Sequence, residues 1–129
     1  MSRQVVALDT ETRLIETGVL DPEIACLSIA TGGEKILLSA TDSPPAARAL
    51  LENEEVDLVL QNGAFDLGVL VRADPSLLPL IFDALDAGRI KDTMIREKLL
   101  RLELGELKFR QGKKTKFSLA ALVERYFGV

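Results

Sequence analysis

Two short apolar runs, Val5-Val6-Ala7-Leu8 and Val56-Asp57-Leu58-Val59-Leu60, each stop abruptly at polar residues. The first ends in Asp9-Thr10-Glu11-Thr12 and the second in Gln61-Asn62-Gly63. Runs this short and this rich in valine and leucine read as strands buried in a sheet. After the second, Phe65, Leu67, Leu70 and Val71 take up helical spacing. Between the two runs, Ile24 to Ala30, the turn Gly32-Gly33 and Lys35 to Leu38 predict a hairpin. Ser43-Pro44-Pro45 predicts a helix to about Asn53, with Ser43 as its N-cap. A helical stretch from Leu77 to Leu85, a weak strand Arg89-Ile90-Lys91, a helix from Thr93 to about Leu104 capped by Asp92, and a last helix from Ser118 to Phe127 complete the order. The expected fold is a single α/β domain over 1–129, a mixed central sheet flanked by helices. The leucine-rich stripes at 67–71, 77–85 and 94–104 are expected to be core faces.

Composition narrows the chemistry. The chain has no histidine, which excludes Ser-His-Asp and Cys-His triads and every histidine-bearing metal site within it. It has no tryptophan and one tyrosine, a poor inventory for stacking bases on aromatic rings. A single cysteine, Cys26, allows no internal disulfide, and no apolar run approaches the roughly 20 residues of a membrane helix, so a cytoplasmic setting without a membrane partner is expected. Any catalysis must therefore run mainly on carboxylates.

Asp9 and Glu11 are two apart at the end of an extended run, so they project to the same side. Carboxylates this close repel unless a cation lies between them, and hard oxygen ligands suit Mg²⁺ or Mn²⁺. The plainer reading is a polar strand end meeting solvent. Asp66 falls in or near the first turn of the next helix. There it either stabilises the helix dipole by about 0.3–1 kcal/mol or joins Asp9 and Glu11 at the ends of neighbouring strands. Asn62 reads equally as a turn residue. Three clustered carboxylates would suit two-metal phosphoryl chemistry, which needs no nucleophilic side chain.

Charge is divided unevenly. Residues 1–88 hold 5 Lys+Arg against 15 Asp+Glu, whereas residues 89–129 hold 11 against 5, within a whole-chain net charge of −4. The basic stretch Lys108, Arg110, Lys113, Lys114 and Lys116 reads either as a solvated loop or as a set of salt-sensitive phosphate contacts.

Ala7-Leu8-Asp9-Thr10-Glu11-Thr12 resembles the first motif of the DEDD superfamily of 3′–5′ exonucleases, and Asn62-Gly63-Ala64-Phe65-Asp66 resembles the second. Lys91 to Ile95 and Phe117 to Val129 are similar to later segments of DNA polymerase I-type and related phage enzymes. The resemblance implies a ribonuclease H-like fold and a proofreading-type domain that hydrolyses DNA 3′ ends with two divalent cations, Mg²⁺ or Mn²⁺. It assigns Asp9, Glu11 and Asp66 to the metals, and Thr10, Asn62 and Phe65 to the terminal nucleotide. A polymerase domain in a longer parent chain is the companion it suggests. It also implies a third motif, Tyr-x-x-x-Asp or His-x-x-x-Asp, beyond the segment matching 117–129. Tyr126 cannot serve there and is read as packing. The expectation is thus an exonuclease domain truncated before that motif, inactive if the missing ligand is indispensable. Two alternatives stand beside it: an inactive nucleic-acid-binding or structural domain, and an exoribonuclease of the same superfamily.

Overall fold

The computed structural model describes residues 2–108 and 114–129. Five strands form one mixed sheet in the order β3-β2-β1-β4-β5. Strand β1 (Gln4–Thr12) runs antiparallel to β2 (Ile24–Ala30), which pairs antiparallel with β3 (Lys35–Ser39). On its other side β1 runs parallel to β4 (Val56–Leu60), and β4 runs parallel to β5 (Ile90–Asp92). The expected hairpin and the α/β layout are both present.

Strand β1 continues past the apolar run as far as Thr12. Its register with β2 carries Asp9 opposite Ser28, Glu11 opposite Cys26 and Thr12 opposite Ile24, with an irregularity between Glu11 and Thr12. Pairing with β2 holds these polar residues extended. Along β1 burial alternates: Val6, Leu8 and Thr10 are buried, while Val5, Ala7, Asp9 and Glu11 are exposed. The period of two thus divides the strand into a core face and an open face.

Helices α1 (Ser43–Glu52), α2 (Gly63–Ala73) and α3 (Leu78–Asp86, preceded by a 3₁₀ turn Pro75–Leu77) supply the core, with Ala47, Leu51, Val69, Leu70, Leu77 and Ile81 buried against Val6, Leu27 and Leu58. Asp42, not Ser43, occupies the N-cap position of α1, and it caps without a side-chain bond. The Ser43 hydroxyl instead donates to the Ser39 carbonyl at 2.6 Å and is buried. A backbone acceptor four residues back competed successfully for that hydroxyl. Arg89, 3% exposed, closes the far end of the core by donating to the carbonyls of Leu51, Asn53 and Val56.

Helix α4 (Thr93–Glu103) departs from expectation. Its leucine stripe is not a core face: Ile95, Leu99, Leu100 and Leu102 are exposed, and the one buried residue of the helix is Glu97. Helix α5 (Leu119–Phe127) lies against the Glu97 side. The Glu97 carboxylate accepts from Arg101 Nε at 2.7 Å, Arg125 Nη1 at 2.6 Å and Tyr126 Oη at 2.6 Å. Tyr126 is therefore a hydrogen-bond donor in a polar clasp, not simple packing. The two helices are joined by charge where periodicity anticipated apolar contact.

Candidate active site at the strand ends

Parallel pairing of β1 with β4 ends at Ala7 opposite Val59, and β4 then turns into α2. Beyond that point β1 and β4 no longer pair. Asp66, in the first turn of α2, takes that place. Its Oδ1 accepts from the Thr10 amide at 2.9 Å and from the Thr10 hydroxyl at 2.5 Å. Both residues are buried, at 3% and 6% exposure. A side-chain carboxylate thus extends the ladder that the neighbouring strand abandons, which satisfies a buried donor that would otherwise be costly.

The same burial holds the Asp66 carboxyl above the ordinary aspartate range. Desolvation is the largest cause, the two Thr10 bonds oppose it, and the charges of Asp9 and Asp92 add to it. The chain has thus gathered negative charge at this sheet end without a compensating cation among its own described residues. Asp66 Oδ2 accepts no hydrogen bond from the described residues, and no side-chain oxygen among them is both buried and unpartnered, so Oδ2 keeps an open side. Oxygen-only donors, one of them with a free lone pair, fit a hard divalent ion once Asp66 has lost its proton.

Asp9 and Glu11 lie on the open face of β1, with Asp9 lining a recess of ≈ 210 Å³ alongside Ala7, Ser28, Ala30, Val59 and Gln61. Asp9 lies close enough for its charge to act on Asp66. The expected three-carboxylate cluster is not closed, however: among the described residues no group of three Asp, Glu or Cys side chains stands ready to enclose a metal ion. Asp66 faces Thr10 on the core side, while Asp9 and Glu11 face outward, and like charges have no reason to converge unaided.

Thr10 gives its hydroxyl to Asp66, so in this structure it orients the carboxylate. Phe65 is half-buried, packs against the core cluster and donates its amide to the Asn62 carbonyl. Asn62 is exposed and adopts the left-handed conformation, φ 59° and ψ 53°, with no side-chain capping bond. The turn from β4 into α2 requires that backbone, which asparagine tolerates better than most residues. Gly63 follows because a Cβ there would meet Leu60 Cβ at 3.2 Å and Asp92 Oδ2 at 3.5 Å. Asn62→Gly is accordingly expected to preserve stability, whereas Asn62→Ala should cost about 1 kcal/mol in a denaturant melt. Equal losses in both would tie stability to the amide side chain instead.

Asp92 holds the turn from the other side. The expected cap of α4 is present, with Oδ1 accepting from Met94 N at 2.9 Å and Ile95 N at 3.2 Å. The same carboxylate also accepts from Asn62 N at 3.3 Å and Gly63 N at 2.7 Å, which are the start of α2. Sequence reasoning missed this second role, because no local signal announces a partner 29 residues away. One aspartate thereby sets the relative placement of both helix starts.

Of the basic residues, Lys108, Lys114 and Lys116 line a cleft that also contains Asn62. Arg110 and Lys113 lie outside the described residues. No helix among the described residues is long and apolar enough to cross a membrane.

Two solved structures resemble this arrangement. The Nibbler EXO domain of Aedes aegypti superposes with a TM-score of 0.67 at 14% identity, covering 98% of this chain and 60% of that one. Escherichia coli RNase D, described as an exoribonuclease involved in structured RNA processing, superposes with a TM-score of 0.59 at 22% identity, covering 98% of this chain and 28% of that one. The chain thus spans less than two thirds of the length of either. Both share its mixed sheet flanked by helices, the ribonuclease H-like exonuclease fold. No curated protein matches the sequence. The 3′–5′ exonuclease family matches residues 1–129. Sheet topology, acidic strand ends and a whole-chain match therefore agree, and the chain belongs to the 3′–5′ exonuclease family, hydrolases of nucleic-acid phosphodiester bonds.

Proposed function

We propose that this chain removes nucleotides from the 3′ end of a nucleic-acid strand, with Asp9, Glu11 and Asp66 holding divalent cations, Mg²⁺ or Mn²⁺. The observation that carries this reading is the buried Asp66 carboxylate, oriented by Thr10 and held above its ordinary pKa by burial and by Asp9 and Asp92. Such ions supply Lewis-acid chemistry, making water more acidic and offsetting charge that gathers on the phosphoryl oxygens. The residues of the chain do the positioning. Thr10 fixes the rotamer of Asp66, Asp92 fixes the first turn that carries it, and Asn62 stands exposed at the turn into α2. Phe65 supports the turn from below.

On substrate, the segments 91–95 and 117–129 favour a DNA 3′ end of the proofreading type, within a polymerase-bearing parent chain. RNase D among the fold neighbours favours the exoribonuclease reading. Incubating 5′-labelled DNA and RNA strands of one sequence with the chain and Mn²⁺ decides between them. A ladder shortening from the 3′ end of one strand identifies the substrate, whereas two intact strands would favour a non-catalytic binding domain.

A further inference from the structure

Helix α4 turns an apolar stripe to solvent. Ile95, Leu99 and Leu102 are each more than half exposed. Their spacing of four and then three residues sets them within about 60° of one another around the helix. Glu97, about half a turn from the stripe, faces α5 and is held there by Arg101, Arg125 and Tyr126. That clasp fixes the rotation of the helix, so the outward stripe is a consequence of the fold and not of a loose element. Large apolar residues aligned on one exposed face mark a contact surface, whereas single ones scattered over a protein do not.

The charges beside the stripe specify what fits it. Arg96 and Glu103 share one flank, one near each end of the helix, and both are exposed. Neither pairs with an opposite charge among the described residues. A second α4 laid antiparallel across the first complements this pattern with the same pattern. About a two-fold axis at Leu99, that leucine meets its own counterpart, Ile95 meets Leu102, and Arg96 meets Glu103 twice over. These pairings agree on one register to within about one residue, a rise of ~1.5 Å. A parallel pair would instead set Arg96 beside Arg96 and Glu103 beside Glu103, which repel. On the other flank Met94 and Lys98 line the basic cleft, and the Lys98 ammonium lies over the Phe117 ring, 5.7 Å from its centre. Lys98 is thus directed away from the stripe.

We propose that α4 is a self-association surface, joining two copies of this chain as an antiparallel, two-fold helix pair. Such an interface is isologous and closed, so assembly stops at two copies. One helix face buries on the order of 500 Å² per copy, below the roughly 800 Å² of a standard interface, so the dimer is weak and forms with rising concentration. Asp92 caps α4 beside the acidic strand ends, and the two-fold therefore places the two candidate sites at opposite ends of the helix pair. The inference does not depend on the exonuclease reading.

The test is sedimentation velocity of the whole chain from low to high micromolar concentration. A reversible monomer–dimer equilibrium within that range is expected, with no larger species. Leu99→Glu brings two carboxylates together at the two-fold axis and should weaken the dimer by about tenfold or more. Arg96→Glu and Glu103→Arg should each weaken it by about threefold to tenfold, the scale of two exposed ion pairs. Combined in one chain, the two exchanges restore opposite charges across the axis and should return the wild-type equilibrium. Phe82→Glu on α3, at another apolar residue that is more than half exposed, should leave it unchanged. Melting temperatures at low concentration, where the chain is monomeric, should be alike in all these variants, since every substituted side chain is exposed. A monomer at every concentration would overturn the proposal and leave the stripe to a different partner. A dimer that survives Leu99→Glu, a double exchange no stronger than either single one, or assembly that continues past two copies would overturn it equally.

Discussion

Asp66→Asn is expected to abolish metal-dependent hydrolysis, by about a thousandfold as for loss of one preorganised electrostatic group, while leaving the fold as stable as before or more so. Asparagine keeps an Oδ1 acceptor for the Thr10 amide and hydroxyl, the two bonds that join α2 to β1 here. It removes the charge that burial disfavours. Because the folded pKa lies above the unfolded one, the stability tied to Asp66 is complete below the ordinary aspartate range. It is lost as pH rises through the raised value. At neutral pH the metal-free wild type therefore carries a penalty that asparagine relieves. Asp66→Ala behaves differently: it strands a buried amide and hydroxyl, at a cost of about 1–3 kcal/mol. Thermal melts of both variants in EDTA check this. Asparagine as damaging as alanine would mean that the charge itself, and not the acceptor, holds the strand end. Metal affinity should also rise with pH as Asp66 loses its proton.

Glu97→Gln is expected to loosen α5, at a cost of about 3 kcal/mol, the scale for removing one partner of a buried ion pair. Burial pushes the Glu97 carboxyl up, but the bonds from Tyr126, Arg101 and Arg125 outweigh it and hold the pKa at about 2. A depressed carboxylate contributes stability above its unfolded pKa and loses it as pH falls through the folded one. The contribution of Glu97 should therefore be complete at neutral pH and decay between the ordinary glutamate range and about 2. Hydrogen exchange of the 119–127 amides, wild type against variant across that window, reads it out. Protection should differ strongly at neutral pH and converge in acid. A constant difference at all pH values would assign the effect to shape instead of charge. The Arg125 that pairs with Glu97 also holds the Lys116 carbonyl, so the variant should weaken the basic cleft as well.

What could be read from the sequence was local. The apolar runs 5–8 and 56–60 announce β1 and β4 by their valine and leucine content, although β1 is buried on one face only, with Val5 and Ala7 exposed. Asp92 and Ser118 announce α4 and α5 because a cap acts within three residues, and both accept the expected amides. Of the two strands only β4 stops where a helix starts, which places Asp66, whereas β1 runs on past Asp9 to Thr12.

What could not be read was long-range. Thr10 and Asp66 are 56 residues apart, and only the parallel pairing of β1 with β4 brings them together. Strand β1 continues to Thr12 because β2 pairs with it, not because Asp9 and Glu11 favour extension. The α4 leucines show what periodicity leaves open: it says which side chains share a face, not whether a partner reaches it. Lys98 and Gln61 carry no local mark, since a single lysine in a helix or a glutamine after a strand is ordinary until the fold places it in a cleft.

Catalysis by metal held on these carboxylates is tested most directly by release of the 3′-terminal nucleotide from a 3′-labelled single strand, titrated with Mn²⁺ and Mg²⁺, wild type against Asp9→Asn. Release should depend on metal in the wild type and be lost in the variant, with strand binding in EDTA intact. Release that persists in Asp9→Asn, or wild-type release that ignores the metal, would contradict a role for Asp9 in holding a catalytic ion.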